Sequence, residues 1–496
     1  MKNRITLLNS VSALLVQIVS IISGFIVPKI LLTYFGSSVN GLISSIGQFL
    51  SYITLVEGGV TGVIAANLYK PLIDNDTRKI SSILVTANKF YKKIGYIFII
   101  YSVFLAIIYP SFINHEFSFI YEFALIIVLT IALFVQYMFS LTLKTLLIAD
   151  KKLYIVSFTQ IFMTILNIIL VLISVKIYPQ IHILKLISGS LYILQPIVYG
   201  YYVKCHYKIN WNEDNDDRLL SERWNGFAVN IAAFIHTSTD VSILTFFTDL
   251  KTVSIYTVYT LVTNGLKGLL NSIFSGINPT LGHVYAKGNS EELNKFIDIY
   301  EYITFILVFF IFTITAMLIT PFVLIFTRGI TDTNYNQEMF GYLIVLSEAI
   351  YLIKTPHLSL AYVSNKFKEL MVPAYLEALI NIVVSLALVK KMGLTGVAIG
   401  TICGMIYRMI YQVYFTTKLI NGRSQFKFYS KLILFMLFTI ITILFCNEFI
   451  PIKQLSLLSW IGHALIYCLL FSFSYLLLSV FAFKNELLFL IKYIKK

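Results

Sequence analysis

Ionisable side chains occur inside several long apolar segments of this sequence, where each of them is costly. A lysine or arginine at the centre of a membrane-spanning helix costs roughly 2.5–3.5 kcal/mol on insertion, so it usually faces a water-filled cavity or a partner charge. Such residues therefore predict a polar interior site. The candidates are the cations Lys144, Lys267, Lys354 and Arg408, the acids Glu57, Asp240, Glu348 and Glu377, and the histidines His236 and His357.

Polar residues recur at helical spacing around these charges. Residues three or four positions apart share one face of a helix, so each stripe on an otherwise apolar helix predicts one wall of a wet cavity. The stripes are Gln136, Ser140 and Lys144; Gln160, Thr164, Asn167 and Ser174; His236 and Asp240; Asn264, Lys267 and Asn271; and Glu377, Asn381 and Ser385.

A purely structural interpretation of these residues stays open. Amide and hydroxyl side chains often only bridge neighbouring helices, at about 0.6 kcal/mol per hydrogen bond. A cation can also neutralise a buried acid, for example Arg408 with Glu377 if their helices are neighbours. Lys144 lies close enough to the end of its helix to extend out of the membrane. For the cations a cavity is favoured, because their desolvation cost exceeds what such bonds return.

The elements that must position these residues are membrane-spanning helices. Of the 496 residues, 58% are hydrophobic and only 12% are charged, against roughly 25% charged in a soluble domain. Segments of about 20 apolar residues are long enough to cross the hydrocarbon core. The sequence thus predicts an all-α polytopic membrane protein with about 14 transmembrane helices. The predicted spans are 6–32, 39–66, 90–113, 119–148, 153–177, 183–204, 224–248, 253–283, 299–326, 338–363, 370–390, 393–418, 428–450 and 457–483.

Positive charge predicts the orientation of these spans. The segment 67–93 is rich in lysine and arginine, whereas the segment 110–118 has neither. Because cytoplasmic loops carry the excess of these residues, both termini are predicted to be cytoplasmic. The net charge of +14 is then explained by topology, without a nucleic-acid partner. The N-terminal apolar run lacks a small-residue cleavage site and is expected to be the first span.

The sequence also repeats itself. Residues 31–42, LLTYFGSSVNGL, parallel residues 243–256, ILTFFTDLKTVSIY, at an offset of about 214 residues. The repeat predicts two pseudo-symmetric six-helix bundles with the same membrane orientation, an architecture suited to alternating access. The predicted organisation is a six-helix bundle at 1–204, a charged cytoplasmic linker at 205–223, a second six-helix bundle at 224–418, and two extra helices with a basic cytoplasmic tail at 419–496.

Motifs for enzymatic chemistry are missing from the sequence. It contains no G-x-x-x-x-G-K-[ST] nucleotide loop, no H-E-x-x-H and no G-x-S-x-G. The four cysteines are scattered without the spacing of metal ligands or of a disulfide framework. The chain is therefore not expected to be an enzyme, and no cofactor or metal is predicted.

Two stretches carry recognisable motifs. In residues 39–80 they are Asn40-Gly41-Leu42, Phe49-Leu50, Glu57 with Gly58 and Gly59, Leu68-Tyr69-Lys70-Pro71-Leu72, and Asp76. In residues 373–408 they are Glu377, Asn381, Ser385, Gly393, Gly396-Val397, Gly400-Thr401 and Arg408. With these motifs the sequence resembles the polysaccharide and oligosaccharide (Wzx-type, lipid-linked glycan) flippases of the multidrug/oligosaccharidyl-lipid/polysaccharide exporter superfamily.

The resemblance implies a multi-pass protein of the bacterial plasma or inner membrane. Such a protein moves a polyprenyl-diphosphate-linked oligosaccharide to the outer leaflet, for capsule, exopolysaccharide, O-antigen or teichoic-type polymers. The implied partners are this substrate, membrane lipids, and the polymerase and glycosyltransferases of the same pathway. Lys267, Lys354 and Arg408 are then expected to attract the diphosphate, with Lys144 as a cytoplasmic entry charge. The candidates for gating or coupling are Glu57, His236, Asp240, Glu348, Glu377 and Asn381.

Two rival functions stay open. A cation-coupled multidrug exporter of the same superfamily would need an acidic cavity, and the sequence offers both acids and bases inside its spans. Fourteen spans favour the flippase, because the superfamily's drug exporters usually have twelve. An integral-membrane glycan polymerase would be expected to have a large external loop, whereas the longest candidate here, residues 327–337, is short.

Overall fold

The computed structural model describes residues 2–57, 59–113, 116–216, 234, 238–364, 366–452 and 454–494. Over these residues the chain is almost entirely helical and contains no β-strand. Ten helices in the described part are long and apolar enough to cross a membrane. The chain divides into two compact units, Met1–Ser254 and Ile255–Lys496.

The first unit is built from helices and short helical turns. A π-helical turn, Gln136–Ser140, joins α5 to α6, and a 3-10 turn, Leu191–Ile193, joins α8 to α9. Residues 238–247 are also helical. The named helices are α1 (Lys2–Ser51), α2 (Ile53–Glu57), α3 (Val60–Asp74), α4 (Thr77–Phe112), α5 (Phe119–Val135), α6 (Leu141–Ala149), α7 (Leu153–Ile177), α8 (Ile181–Ser190) and α9 (Leu194–His206).

The second unit has longer helices. The first of them begins at the end of the first unit, and the last follows the final apolar span. These helices are α10 (Leu250–Ala286), α11 (Ser290–Phe326), α12 (Glu338–Ile353), α13 (Thr355–Val363), α14 (Phe367–Leu419), α15 (Gln425–Phe449), α16 (Leu457–Ala482) and α17 (Lys484–Ile494).

The helices α1 and α14 are 50 and 53 residues long, too long for one crossing. At 1.5 Å per residue, a straight helix of that length would be more than twice as long as the hydrocarbon core is thick, roughly 30 Å. Each breaks at a glycine with positive φ, Gly36 (φ 79°) in α1 and Gly393 (φ 52°) in α14. Only glycine adopts this backbone at little cost, so each helix supplies two spans.

The all-α polytopic prediction is confirmed. The predicted break between the first two spans lies at Gly36, and the break between spans 370–390 and 393–418 lies at Gly393. The predicted span 224–248 falls mainly outside the described residues; its described end, residues 238–247, is helical. The boundaries proposed for the two bundles and their linker stay predictions.

The segments that the sequence repeat equates are neighbours in the fold. The Asn40 side-chain amide donates a hydrogen bond of 2.8 Å to the Ser254 hydroxyl, and these residues are 214 positions apart. Beside them, Gly41 lies against the backbone of Leu250 so closely that a Cβ would stand 1.8 Å from its carbonyl oxygen. The glycine of the Asn-Gly-Leu motif therefore permits a backbone-to-backbone contact.

Candidate functional site

The first unit contains a cavity of about 600 Å³ lined by α1 and by the helices from α5 to α9. Sites for small ligands commonly have volumes of roughly 300–1,000 Å³. Part of the wall is apolar, including Val27, Leu129 and Met163. The rest presents hydroxyl, amide and ammonium groups, from Ser20, Ser23, Gln136, Lys144, Gln160, Thr164, Asn167, Lys185, Ser188, Tyr192 and Gln195.

Two of the predicted polar stripes line this cavity. The α7 stripe contributes Gln160 through Asn167, and the stripe on the preceding helix contributes Gln136 and Lys144. Ser140, predicted between those two, is buried away from the cavity and its hydroxyl has no hydrogen-bond partner. Ser140 is the last residue of the π-helical turn Gln136–Ser140, so the regular α-helical spacing does not hold between Gln136 and Lys144.

The cavity is cationic. Lys144 and Lys185 both reach its wall, and over the residues that the structure describes no aspartate or glutamate contributes to the lining. Neither lysine forms an ion pair or hydrogen bond with the described part of the chain. Both are partly exposed within the protein. Their ammonium groups are thus available to an anion.

Lys185 is a cavity residue that the sequence analysis missed. It lies only a few residues inside the predicted span 183–204, where a lysine normally counts as a flanking charge. A signal was present, because Lys185, Ser188, Tyr192 and Gln195 follow one another at steps of three or four. All four line the cavity.

Glu57 lies at the break between α2 and α3. One of its carboxylate oxygens accepts a hydrogen bond from Thr61, and the other accepts one of 3.2 Å from the hydroxyl of Tyr137 in the π-helical turn. Thr61 in turn bonds to the Tyr91 hydroxyl at 2.7 Å. Glu57, Thr61, Tyr91 and Tyr137 thereby link α2, α3, α4 and the π-helical turn. The link lies where the chain breaks between α2 and α3 and where the helix of Tyr137 is π-helical.

A polar cluster fastens the ends of α6 and α9 together. Lys152 Nζ lies 2.9 Å from an Asp150 carboxylate oxygen and donates a hydrogen bond of 3.0 Å to the Tyr207 hydroxyl, which itself donates to Asp150. Burial raises the pKa of Tyr207, and the bond to Asp150 raises it further. Burial alone would lower the pKa of Lys152, but its bonds to Tyr207 and Asp150 raise it above the ordinary value. Lys152 therefore keeps its proton at neutral pH.

The predicted cations of the second unit are paired with acids. Lys267 Nζ lies 2.9 Å from a Glu348 oxygen, and Lys354 Nζ lies 3.3 Å from a Glu377 oxygen. Arg408 Nε is 3.7 Å from the other Glu377 oxygen. Lys354, Glu377 and Arg408 are 3%, 5% and 6% exposed. The alternative of a buried acid neutralised by Arg408 is thus the arrangement observed.

The Glu377, Asn381 and Ser385 stripe has a second role, in packing. The break at Gly393 makes α14 a hairpin of two helical arms. The stripe lies along the first arm, opposite small residues of the second arm. A Cβ on Gly400 would stand 2.1 Å from the Ser385 hydroxyl and 2.8 Å from the Asn381 carbonyl oxygen, and one on Gly404 would stand 2.8 Å from the Glu377 carbonyl oxygen. Small residues spaced by four let two membrane helices approach closely. The motif therefore encodes a tight antiparallel pair.

A buried charge network in the second unit was not anticipated from the sequence. Glu301 on α11 is fully buried and binds Arg423 and Lys431, the latter at 3.1 Å. Both cations also contact Asp298 at 3.2 Å, and His357 Nε2 lies 3.4 Å from Glu301. Glu301 and Lys431 were overlooked because they stand within a turn of predicted span ends. The network attaches the start of α15 to α11.

The remaining coupling candidates belong to the segment before α10. Asp240 is 4% exposed and has an interaction partner. His236, its predicted neighbour one turn away, lies outside the described residues.

Comparison with solved structures shows which known proteins share this fold. No family model and no curated protein matches the sequence. Among solved structures, the lipid II flippase MurJ in an inward closed conformation is similar over 97% of this chain and 99% of its own, with a TM-score of 0.73 and 16% identity.

Two multidrug transporters are similar over a smaller part of the chain. An inward-facing multidrug resistance MATE family transporter of the MOP superfamily covers 82% of this chain and 96% of its own (TM-score 0.61, 12% identity). The MATE multidrug transporter DinF-BH covers 82% and 94% (TM-score 0.62, 14% identity). The chain therefore has the all-α fold of these flippases and transporters, as the resemblance of its motifs implied.

Proposed function

We propose that this protein is a flippase for a lipid-linked glycan. It moves a polyprenyl-diphosphate-linked oligosaccharide repeat unit from the cytoplasmic to the outer leaflet during cell-surface polysaccharide synthesis. The observation that carries the proposal is the first-unit cavity, where Lys144 and Lys185 meet no carboxylate among the described lining residues. A diphosphate leaving water needs cations in exchange, and the amides and hydroxyls of the same wall can bind sugar hydroxyls.

The cavity argues against export of hydrophobic cations. A site for such drugs would need acidic groups, but Glu348 and Glu377 of the second unit are already bound to Lys267 and to Lys354 and Arg408. The fold comparison supports the same choice, since the flippase aligns with 97% of this chain and the drug transporters with 82%. A chain with two helices beyond a twelve-helix core would give such a difference.

The ion pairs support different roles for the predicted cations. Lys144 meets the substrate's diphosphate as an entry charge, whereas Lys267, Lys354 and Arg408 hold the acids of the second unit in place. Alternating opening of the two predicted bundles would then expose the cavity to each leaflet in turn. Positive charge on segment 67–93 supports cytoplasmic termini, and a plasma or inner membrane location beside the pathway's polymerase and glycosyltransferases follows from this role.

Transport of a labelled lipid tests the proposal. The full-length protein is reconstituted in vesicles that carry a fluorescent polyprenyl diphosphate, and dithionite quenching reports the fraction moved between leaflets. We expect faster redistribution than in protein-free vesicles and at least a tenfold loss for Lys144→Gln. Lys204→Gln, an exposed lysine at the end of α9, is the matched control. Redistribution of a cationic dye, with no movement of the lipid, would favour a drug exporter instead.

A further inference from the structure

The two cavity lysines lie on helices whose relative register can be read from contacts at two glycines. A Cβ on Gly189 would stand 3.5 Å from the Val128 carbonyl oxygen, and one on Gly200 would stand 3.9 Å from a Leu143 methyl group. At both contacts, a residue in the helical run from α8 into α9 lies at the same height as the residue about 58 positions earlier, in the run from α5 into α6. This register gives the relative height of any residue on the two runs.

Lys185 and Lys144 are far apart along this shared axis. Lys185 precedes Gly189 by one turn and so lies level with Leu125–Ile127, near the middle of α5. Lys144 lies about 18 residues further along, in α6. At 1.5 Å per residue the two α-carbons differ in height by roughly 25 Å, which is close to the thickness of the hydrocarbon core, roughly 30 Å.

One diphosphate cannot contact both ammonium groups across this height. A lysine side chain has four methylenes before its ammonium and covers only a small part of the distance. Between the lysines the wall is neutral, with Gln136, Gln160, Thr164, Asn167 and Gln195. The cavity thus has one charged group at each end and neutral polar groups between them, rather than a single central group of charges.

We propose that Lys144 and Lys185 are two separate anion-binding stations at opposite ends of the cavity. The inference rests on the proposed function and refines it: in the predicted orientation Lys144 receives the diphosphate at the cytoplasmic end and Lys185 receives it at the outer end. The neutral groups between them bind sugar hydroxyls while the head group is in transit. Two moderate sites at the ends allow release, whereas one strong central site would retain the anion.

The number of bound anions distinguishes two stations from one. Purified full-length protein in detergent is dialysed against labelled inorganic pyrophosphate, and the bound quantity per chain is measured to saturation. We expect two sites in the native protein, one in Lys144→Gln, one in Lys185→Gln and none in the double variant. Lys144→Arg and Lys185→Arg are expected to keep two sites, as is Lys204→Gln, and size-exclusion profiles confirm that each variant is folded.

Other outcomes overturn the inference. One site in the native protein, weakened by either substitution, would mean that both lysines bind the same anion. Unchanged binding in the double variant would mean that neither lysine is a station. The proposed function fails separately: two pyrophosphate sites without movement of the labelled lipid leave the stations intact and refute the flippase. Lipid movement with only one pyrophosphate site refutes the stations alone.

Discussion

Gly41 provides the sharpest test of the packing described above. Replacing it by alanine would place a Cβ 1.8 Å from the Leu250 carbonyl oxygen, 2.7 Å from its carbonyl carbon and 3.2 Å from its α-carbon. These are backbone atoms, which cannot rotate away as a side chain can. Restoring an ordinary contact requires the two helices to separate locally by more than an ångström. The Asn40–Ser254 hydrogen bond beside them would be stretched at the same time.

The expected cost follows from two opposing effects. Alanine is favoured over glycine in a helix interior by about 1 kcal/mol, whereas overpacking of a tight contact costs about 1–3 kcal/mol and occasionally more. Gly47 is the matched control, since it lies in the same helix and a Cβ there meets nothing within 4 Å. Gly47→Ala should be neutral or slightly stabilising. The gain from alanine is common to both variants, so they should differ by the overpacking cost alone, about 1–3 kcal/mol in the free energy of unfolding.

Thermal denaturation in detergent, followed by size-exclusion chromatography of the surviving protein, measures the difference. We expect Gly41→Ala to lose its monodisperse peak at a clearly lower temperature than the native protein, with Gly47→Ala at or above the native value. If the two variants melt together, the close approach of Gly41 to Leu250 is not a constraint on this fold. The packing explanation of the Asn-Gly-Leu motif would then be refuted.

Three further substitutions test the second unit, each read by the same melting assay. Glu377→Gln should destabilise the protein more than Lys354→Gln, because it removes the partner of two buried cations and breaking such a pair costs about 3–5 kcal/mol; the reverse order would contradict the pairing. Glu301→Gln should also lower the melting temperature, since Arg423 and Lys431 lose their shared buried partner; an unchanged value would show that α15 is attached by other contacts. Gly400→Ala should destabilise, whereas Gly462→Ala, with nothing within 4 Å, should not; equal effects would count against the α14 hairpin.

The spans and two polar stripes of the cavity wall could be predicted because they depend on local sequence. Apolar length predicts where a helix crosses, and a step of three or four predicts which residues share a face, as Gln160, Thr164 and Asn167 do. Ser140 shows the limit of that rule. It lies in a single π-helical turn, a local distortion with no clear sequence signature, and it does not line the cavity with Gln136 and Lys144.

Charge pairing could not be predicted, because it depends on which helices are neighbours. Lys267 and Glu348 are 81 positions apart, and Lys431 and Glu301 are 130 apart. In the sequence, each of these residues is only a charge with an unfavourable desolvation energy. The fold shows that the two members of each pair neutralise each other. Lys185 was missed for a different reason: proximity to a span end made it resemble an ordinary flanking charge, although its neighbours at helical spacing line the cavity.

The hydrogen bond between Asn40 and Ser254 bears on how such a chain arose. In the predicted repeat these residues occupy the same position of the two copies, and in the structure they contact each other. In an ancestral half-length chain that paired with an identical copy, that position would have faced itself, as in any isologous interface. Every mutation there would have changed both sides at once. If two copies were fused into one gene, each side became free to diverge, and a pair of different residues such as this amide and hydroxyl could then arise at a position that an identical pair of chains would fill with the same residue twice.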